Sequence, residues 1–293
     1  MMKMSRPMGY VCWMLTVLTV YVTGCAPPAP KPDWAAEVLY EHAMKRMEKK
    51  DWVRANEAFR MLTLNHSGSD LVDDALYYLG ETHQKMNEHA VAVVTFKRLL
   101  RDFPQSPFAD EAQYQLAVSI YEQSSAVQLT QDKTFEAIRE LQIFLDEYPD
   151  SELAPKTNEI LQKAYDKIAE KDYRIGHLYF RLSDWEAARL YLTEMVEEFP
   201  MSRWASYAQY KIAESYAREK KWDEAIQRYV LFIKSYPDHE WWASARVRLE
   251  EIRDYVAAER KDGAEKPAHL ATPPDGSTPL TKNPPASTGG LSP

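Results

Sequence analysis

Five stretches of the chain carry one stripe of apolar positions. Each opens on an alanine: Ala55, Ala92, Ala137, Ala188 and Ala225. Four residues on stand Phe59, Phe96, Leu141, Leu192 and Tyr229; seven on stand Leu62, Leu99, Phe144, Met195 and Phe232. Eight on are Thr63, Leu100, Leu145, Val196 and Ile233, and eleven on are His66, Phe103, Tyr148, Phe199 and Tyr236. Offsets of 0, 4, 7, 8 and 11 share one face of an α-helix. The small alanine at the head of the stripe lets a neighbouring helix come close. Twelve residues past it come Ser67, Pro104, Pro149, Pro200 and Pro237. Proline cannot continue a helix and biases its predecessor away from helical geometry. Ser69, Ser106, Ser151 and Ser202 follow two residues later, with His239 in the fifth unit. A serine there caps the next helix by accepting a backbone N–H. Pro107 is expected at the first position of such a helix, and Asp73-Asp74 and Asp110-Glu111 in first turns, where the dipole favours acids.

A second helix precedes each stripe. Tyr40, Tyr77, Tyr173 and Tyr210 lie fifteen residues before the alanine, and Ala43, Gly80, Gly176 and Ala213 twelve before. The third unit breaks this phase ahead of its alanine, although Tyr114 and Leu116 keep the register of Tyr210 and Ile212. Each unit therefore reads as helix A, a short turn, helix B and a stop. Leu79-Gly80, His83, Ala92, Phe96 and Pro104 follow the tetratricopeptide pattern, and Ile212-Ala213, Tyr216, Ala225, Tyr229 and Pro237 repeat it. Strand-like alternation is absent. The predicted fold is all-α: a tetratricopeptide-like helical-hairpin solenoid of about five repeats over residues 33–260, closed by a capping helix from Glu240 to about Arg260.

The alanines are 37, 45, 51 and 37 residues apart. The eight extra residues of unit three map near SSAVQLTQDKT, a longer loop between its helices. The fourteen extra residues of unit four contain no Gly or Pro cluster between Thr157 and Arg181. Fourteen is close to four turns, which predicts a helix A lengthened by about 21 Å.

The ends have another character. Lys3 and Arg6 precede a largely apolar run from Met8 to Val22, too short to span a bilayer, which takes about 20 residues. It closes on Val22-Thr23-Gly24-Cys25, similar to a bacterial lipobox. That predicts residues 1–24 as a lipoprotein signal, Cys25 as the lipid attachment site and a membrane held through the lipid. An ordinary signal peptide or a short anchor with an incidental cysteine are the other readings. Residues 25–32 are a proline-rich tether. Residues 261–293, rich in Pro, Ser, Thr, Gly and Lys, are expected to be a disordered tail.

The formal charge of −8 becomes more negative once Lys3 and Arg6 leave, which argues against nucleic acid as a partner. Cys12 leaves with the signal, so no disulfide forms within one mature chain. There is no Gly-rich phosphate loop, no G-x-S-x-G and no H-E-x-x-H; His42, His66, His83, His89, His177, His239 and His269 are scattered. No catalytic residue, metal site or cofactor is expected. Tyr40, Tyr77, Tyr114 and Tyr173 lie on helices A, which line the concave side of such solenoids, and are candidates for partner contact, although packing between repeats explains most of them. Trp241 and Trp242 are adjacent near the start of the cap and cannot both face inward, so one of them is a contact candidate.

Taken with the lipobox, the five units, the insert and the long helix A of unit four, the chain resembles the BamD family of outer-membrane assembly lipoproteins. The stretch AEKDYRIGHLYFRLSDWEAARLYL is similar to that family's most recognisable segment, with Tyr173, Tyr179 and Ala188 on its pattern. Tyr191 stands where some members carry a partner-contacting arginine, with Arg189 two residues away as a candidate. The resemblance implies a non-enzymatic lipoprotein in the outer membrane, facing the periplasm. It also implies BamA, other barrel-assembly subunits and unfolded outer-membrane proteins as partners. Ala26, in place of an aspartate after the lipidated cysteine, fits export to the outer membrane. A repeat lipoprotein scaffold of polysaccharide export or cell-wall coordination would share the lipobox and the repeats.

Overall fold

The computed structural model describes residues 29–265, so Cys25 and most of the two ends lie outside the described residues. Eleven helices, and no strand, occur among the described residues. Unit one is α1 (Ala36–Glu48) and α2 (Trp52–Asn65); unit two is α3 (Val72–Lys85) and α4 (His89–Asp102). Unit three is α5 (Ala109–Glu122) and α6 (Asp132–Glu147), and unit four is α7 (Ala154–Arg181) and α8 (Trp185–Glu198). Unit five is α9 (Arg203–Arg218) and α10 (Trp222–Ser235), followed by α11 (Trp242–Glu265). Each helix packs on the next along the chain. Helices A also touch across units, α3 with α5, α5 with α7 and α7 with α9, whereas helices B have no contact of comparable extent. Helices A therefore form the inner, concave layer.

The predicted stripe is the core. Ala55, Ala92, Ala137, Ala188 and Ala225 are fully buried, as are Phe59, Phe96, Leu141, Leu192 and Tyr229. Close approach of A to B explains two glycines. A Cβ on Gly80 would stand 2.5 Å from the Phe96 ring, and one on Gly176 would stand 2.6 Å from Leu192 Cγ.

Both irregular units take their expected form. The connection 123–131 separates α5 from α6, and α7 runs 28 residues against 14 for α3 and α5. Buried Gln131 organises the inserted loop. Its Nε2 donates to the carbonyls of Ala126 (2.9 Å) and Leu129 (3.1 Å), and its Oε1 accepts from Thr134 Oγ1. The loop then meets the long helix, with Lys167 Nζ donating to Ser124 Oγ at 2.6 Å.

Several helix boundaries differ from expectation. In units two to four the regular helix starts three residues after the serine, so Pro107 stands in an entry turn before Ala109. The serines still act as caps: Ser69, Ser106, Ser151 and Ser202 accept N–H groups from Leu71, Phe108, Leu153 and Trp204. Two of them also tie repeats together, Ser106 Oγ donating to Asp73 and Ser151 Oγ to Asp110, both at 2.7 Å. The capping helix starts at Trp242 and continues to Glu265, past the expected Arg260; Pro267 is the first proline beyond it. The short A–B turns use left-handed residues without glycine: Lys50, Asn87, Ser183 and Lys220 have φ of 56° to 62°. The backbone N–H after each bonds back across the turn, as Glu88 N does to His83 O at 2.8 Å.

Asp110 and Glu111 form a carboxyl pair in the first turn of α5. Burial, with the hydrogen bond to Asp110, pushes Glu111 up to about 7. Burial also acts upward on Asp110, but hydrogen bonds from Glu111 and Ser151 outweigh it and hold Asp110 below its ordinary range. The folded state thus keeps a proton on Glu111 that the unfolded chain has lost. The resulting stabilisation is complete below the ordinary value of 4.5 and disappears as pH rises through about 7. Between about pH 5 and pH 8 the wild type should lose stability relative to Glu111→Gln in thermal unfolding, so that the two proteins differ in slope. An unchanged slope in the variant contradicts this assignment.

Candidate partner-binding surface

Tyr40, Tyr77 and Tyr173 of helices A stand in the seams between repeats, and Tyr114 packs within its own unit. Tyr40 meets the edge of Phe59 at 5.9 Å and its OH donates to Asp74 at 3.4 Å. Burial, with the Asp74 charge, raises its hydroxyl well above the ordinary tyrosine range. Tyr77 stacks on Phe108 of the next unit at 4.6 Å, and burial, with Glu81 and Glu111, pushes it up to about 12. Tyr114 meets Phe144 edge-on at 6.2 Å. Tyr173 is buried, stacks on Trp204 at 5.0 Å and is pushed by burial to about 12. These rings pack against neighbouring side chains.

Arg189 belongs to the other layer, on α8. Its guanidinium pairs with Glu219 at 2.5 Å and lies 4.4 Å over the Tyr216 ring, with 11% of the side chain exposed. It joins unit four to unit five. Neighbouring Tyr191 stacks on Tyr179 at 5.1 Å, nearly parallel.

Trp241 and Trp242 are both half-buried, contrary to the expectation that only one turns inward. Trp241 meets Tyr207 at 5.0 Å and Tyr210 at 4.9 Å. Trp242 turns the other way, where its Nε1 donates to the Ile233 carbonyl at 3.2 Å and Arg246 covers its ring. The last turn of α10 leaves carbonyls without a helical partner, and that of Ile233 serves Trp242, so each tryptophan has partners of its own.

The structure thus brings Tyr173 and Trp241 into one aromatic surface on α7, α9 and the head of α11, and leaves Tyr40, Tyr77, Tyr114 and Arg189 apart from it. Trp204, Tyr207, Tyr210, His239 and Phe180 complete this surface. Lys211 lies among them, 4.8 Å from the Phe180 ring centroid and 5.5 Å from that of Trp241. Burial lowers its pKa. The signal was present in α9, where Trp204, Tyr207 and Lys211 follow at helical spacing on one face. Beside them an open groove of about 470 Å³ runs between α9 and α11, lined by Tyr210, Glu214, Val247 and Arg248. Among the described residues no helix is long and apolar enough to cross a membrane.

Stacked A–B hairpins with aromatic seams and an open inner face define a tetratricopeptide-type scaffold, and a tetratricopeptide repeat model matches residues 207–239. The model of the YfiO family, described as outer membrane lipoprotein, matches residues 32–208, more than half of the chain. The chain belongs to this outer membrane lipoprotein family. It is similar to the outer membrane protein assembly factor BamD of Caulobacter vibrioides, 27% identical over 182 residues. That match covers 60% of this chain and 59% of the relative's length. The BamD of Xylella fastidiosa is 22% identical over 202 residues, covering 64% of this chain and 69% of that one. Among solved structures it is similar to a TPR repeats protein from Bacteroides fragilis. Identity there is 12%, coverage 77% of this chain and 99% of that one, and the TM-score 0.42.

Proposed function

We propose that the chain is a lipid-anchored, periplasm-facing scaffold of the outer-membrane barrel assembly machinery. In this reading Cys25 carries the lipid and residues 25–32 tether the solenoid. Units four and five dock the periplasmic domains of BamA, and the earlier units receive unfolded barrel chains. The observation that carries it is the family match over 32–208, which spans both irregular units. The fold supports the role physically. A stack of repeats is a rigid, extended surface that binds through distributed contacts. Its work is binding energy alone, and no cofactor or catalytic group enters the reading.

The test has two arms. The lipid-free chain, residues 26–293, should bind the purified periplasmic domains of BamA from the same organism with micromolar or tighter affinity in calorimetry. In cells, Cys25→Ser should abolish incorporation of labelled palmitate. No binding contradicts the BamA assignment, and unchanged labelling contradicts the anchor.

A further inference from the structure

Lys211 on α9 is a half-buried cation whose surroundings leave its hydrogen bonds open. Its ammonium faces the rings of Phe180, Trp241 and Tyr210 at 4.8, 5.5 and 6.0 Å. Ring faces stabilise the charge, yet an ammonium also has three N–H donors that call for acceptors. Among the described residues no carboxylate pairs with it and no oxygen accepts from it. Glu214 favours the Lys211 charge from a distance, less strongly than burial opposes it, but the Glu214 carboxylate is bonded to Tyr229 and Arg218. Burial disfavours the charged amine, so an external carboxylate would restore what the fold withholds.

We propose that the surface of α7, α9 and α11 around Lys211 docks an extended partner segment that carries an acidic side chain between aromatic or aliphatic neighbours. Charge complementarity names the occupant. The carboxylate accepts from Lys211 Nζ, one apolar neighbour covers the exposed edge of Trp241, and another enters the groove along Val247, itself 56% exposed. This deepens and rests on the reading of the protein as a partner-binding scaffold, but its test contains no barrel-assembly component, so either can fail alone.

The probe is a nine-residue peptide with blocked termini and one glutamate between a tyrosine and a phenylalanine. It is compared with its glutamine counterpart and with the glutamine peptide bearing a free C-terminal carboxylate. Binding to the chain of residues 26–293 is read by tryptophan fluorescence. The glutamate peptide should bind at least about tenfold more tightly than the blocked glutamine peptide. Lys211→Gln should erase that difference, and Lys211→Arg should keep most of it, with circular dichroism checking that both variants fold. Equal affinity of the two blocked peptides overturns the proposal, and so does absence of binding by both. Preference for the free-terminus peptide overturns the assignment to an acidic side chain. The wild-type comparison decides the question even if a variant fails to fold.

Discussion

Gly176→Val is expected to destabilise the protein by at least about 2 kcal/mol. At this position α7 lies close against α8. Even a methyl group there would stand 2.6 and 2.7 Å from Leu192 Cγ and Cδ2, and 3.3 Å from the Leu192 backbone nitrogen. Leu192 is fully buried, so it has nowhere to retreat without moving its helix. Leaving glycine normally favours a helix, by about 1 kcal/mol at an alanine; valine recovers only part of that and adds two more methyls to the clash. Leu192→Ala alone should cost about 2–5 kcal/mol by leaving a cavity. In the double variant the valine occupies that cavity. Its cost should be smaller than the sum of the single costs by more than about 1 kcal/mol. Urea unfolding of the four proteins measures this coupling, and additive costs contradict the packing. Each repeat depends mainly on its neighbours, so the loss should concentrate in units four and five.

Tyr229→Phe is the second large effect. Tyr229 is fully buried, and its hydroxyl donates to Glu214 Oε2 at 2.6 Å. Burial, then the hydrogen bond to Glu214, raises its pKa far above the ordinary value, so the hydroxyl keeps its proton throughout the physiological range. Phenylalanine preserves the ring and removes the donor. Glu214, 9% exposed, is left with Arg218 Nε at 3.0 Å as its remaining side-chain donor. The expected cost is about 1.5–3 kcal/mol, the range for a hydrogen bond to a charged group. Tyr229→Phe combined with Glu214→Met should cost less than Tyr229→Phe alone, because the stranded carboxylate is gone. If the double variant is the less stable one, the hydroxyl was not serving Glu214. Thermal unfolding at neutral pH distinguishes the two.

The units, the insert and the long helix were readable because each follows from spacing along one helix. Ala188, Leu192 and Met195 must share a face whatever they touch. Fourteen residues without a breaker had little choice but to extend α7. The sequence was silent where the outcome depends on which neighbour a face meets. Arg189 reads as a surface cation, yet Glu219 and Tyr216 arrive from the next unit and enclose it. Ser106 and Ser151 read as caps, but their bonds to Asp73 and Asp110 reach back one repeat. Ser183 and Lys220 adopt left-handed geometry that glycine usually marks, so the turns were visible only as gaps between helices. Lys211 lay on the right helix face, but the rings its ammonium faces, Phe180 and Trp241, are 31 and 30 residues away in the sequence.

Recovery of native partners is the most direct test of the proposed role in barrel assembly. The full-length protein, tagged at its C-terminus, should be purified in mild detergent from its own membranes and its companions identified by mass spectrometry. The expected result is near-stoichiometric recovery of a large outer-membrane barrel with periplasmic repeat domains. Recovery of polysaccharide-export or cell-wall machinery without that barrel would leave the solenoid intact and contradict the function proposed for it.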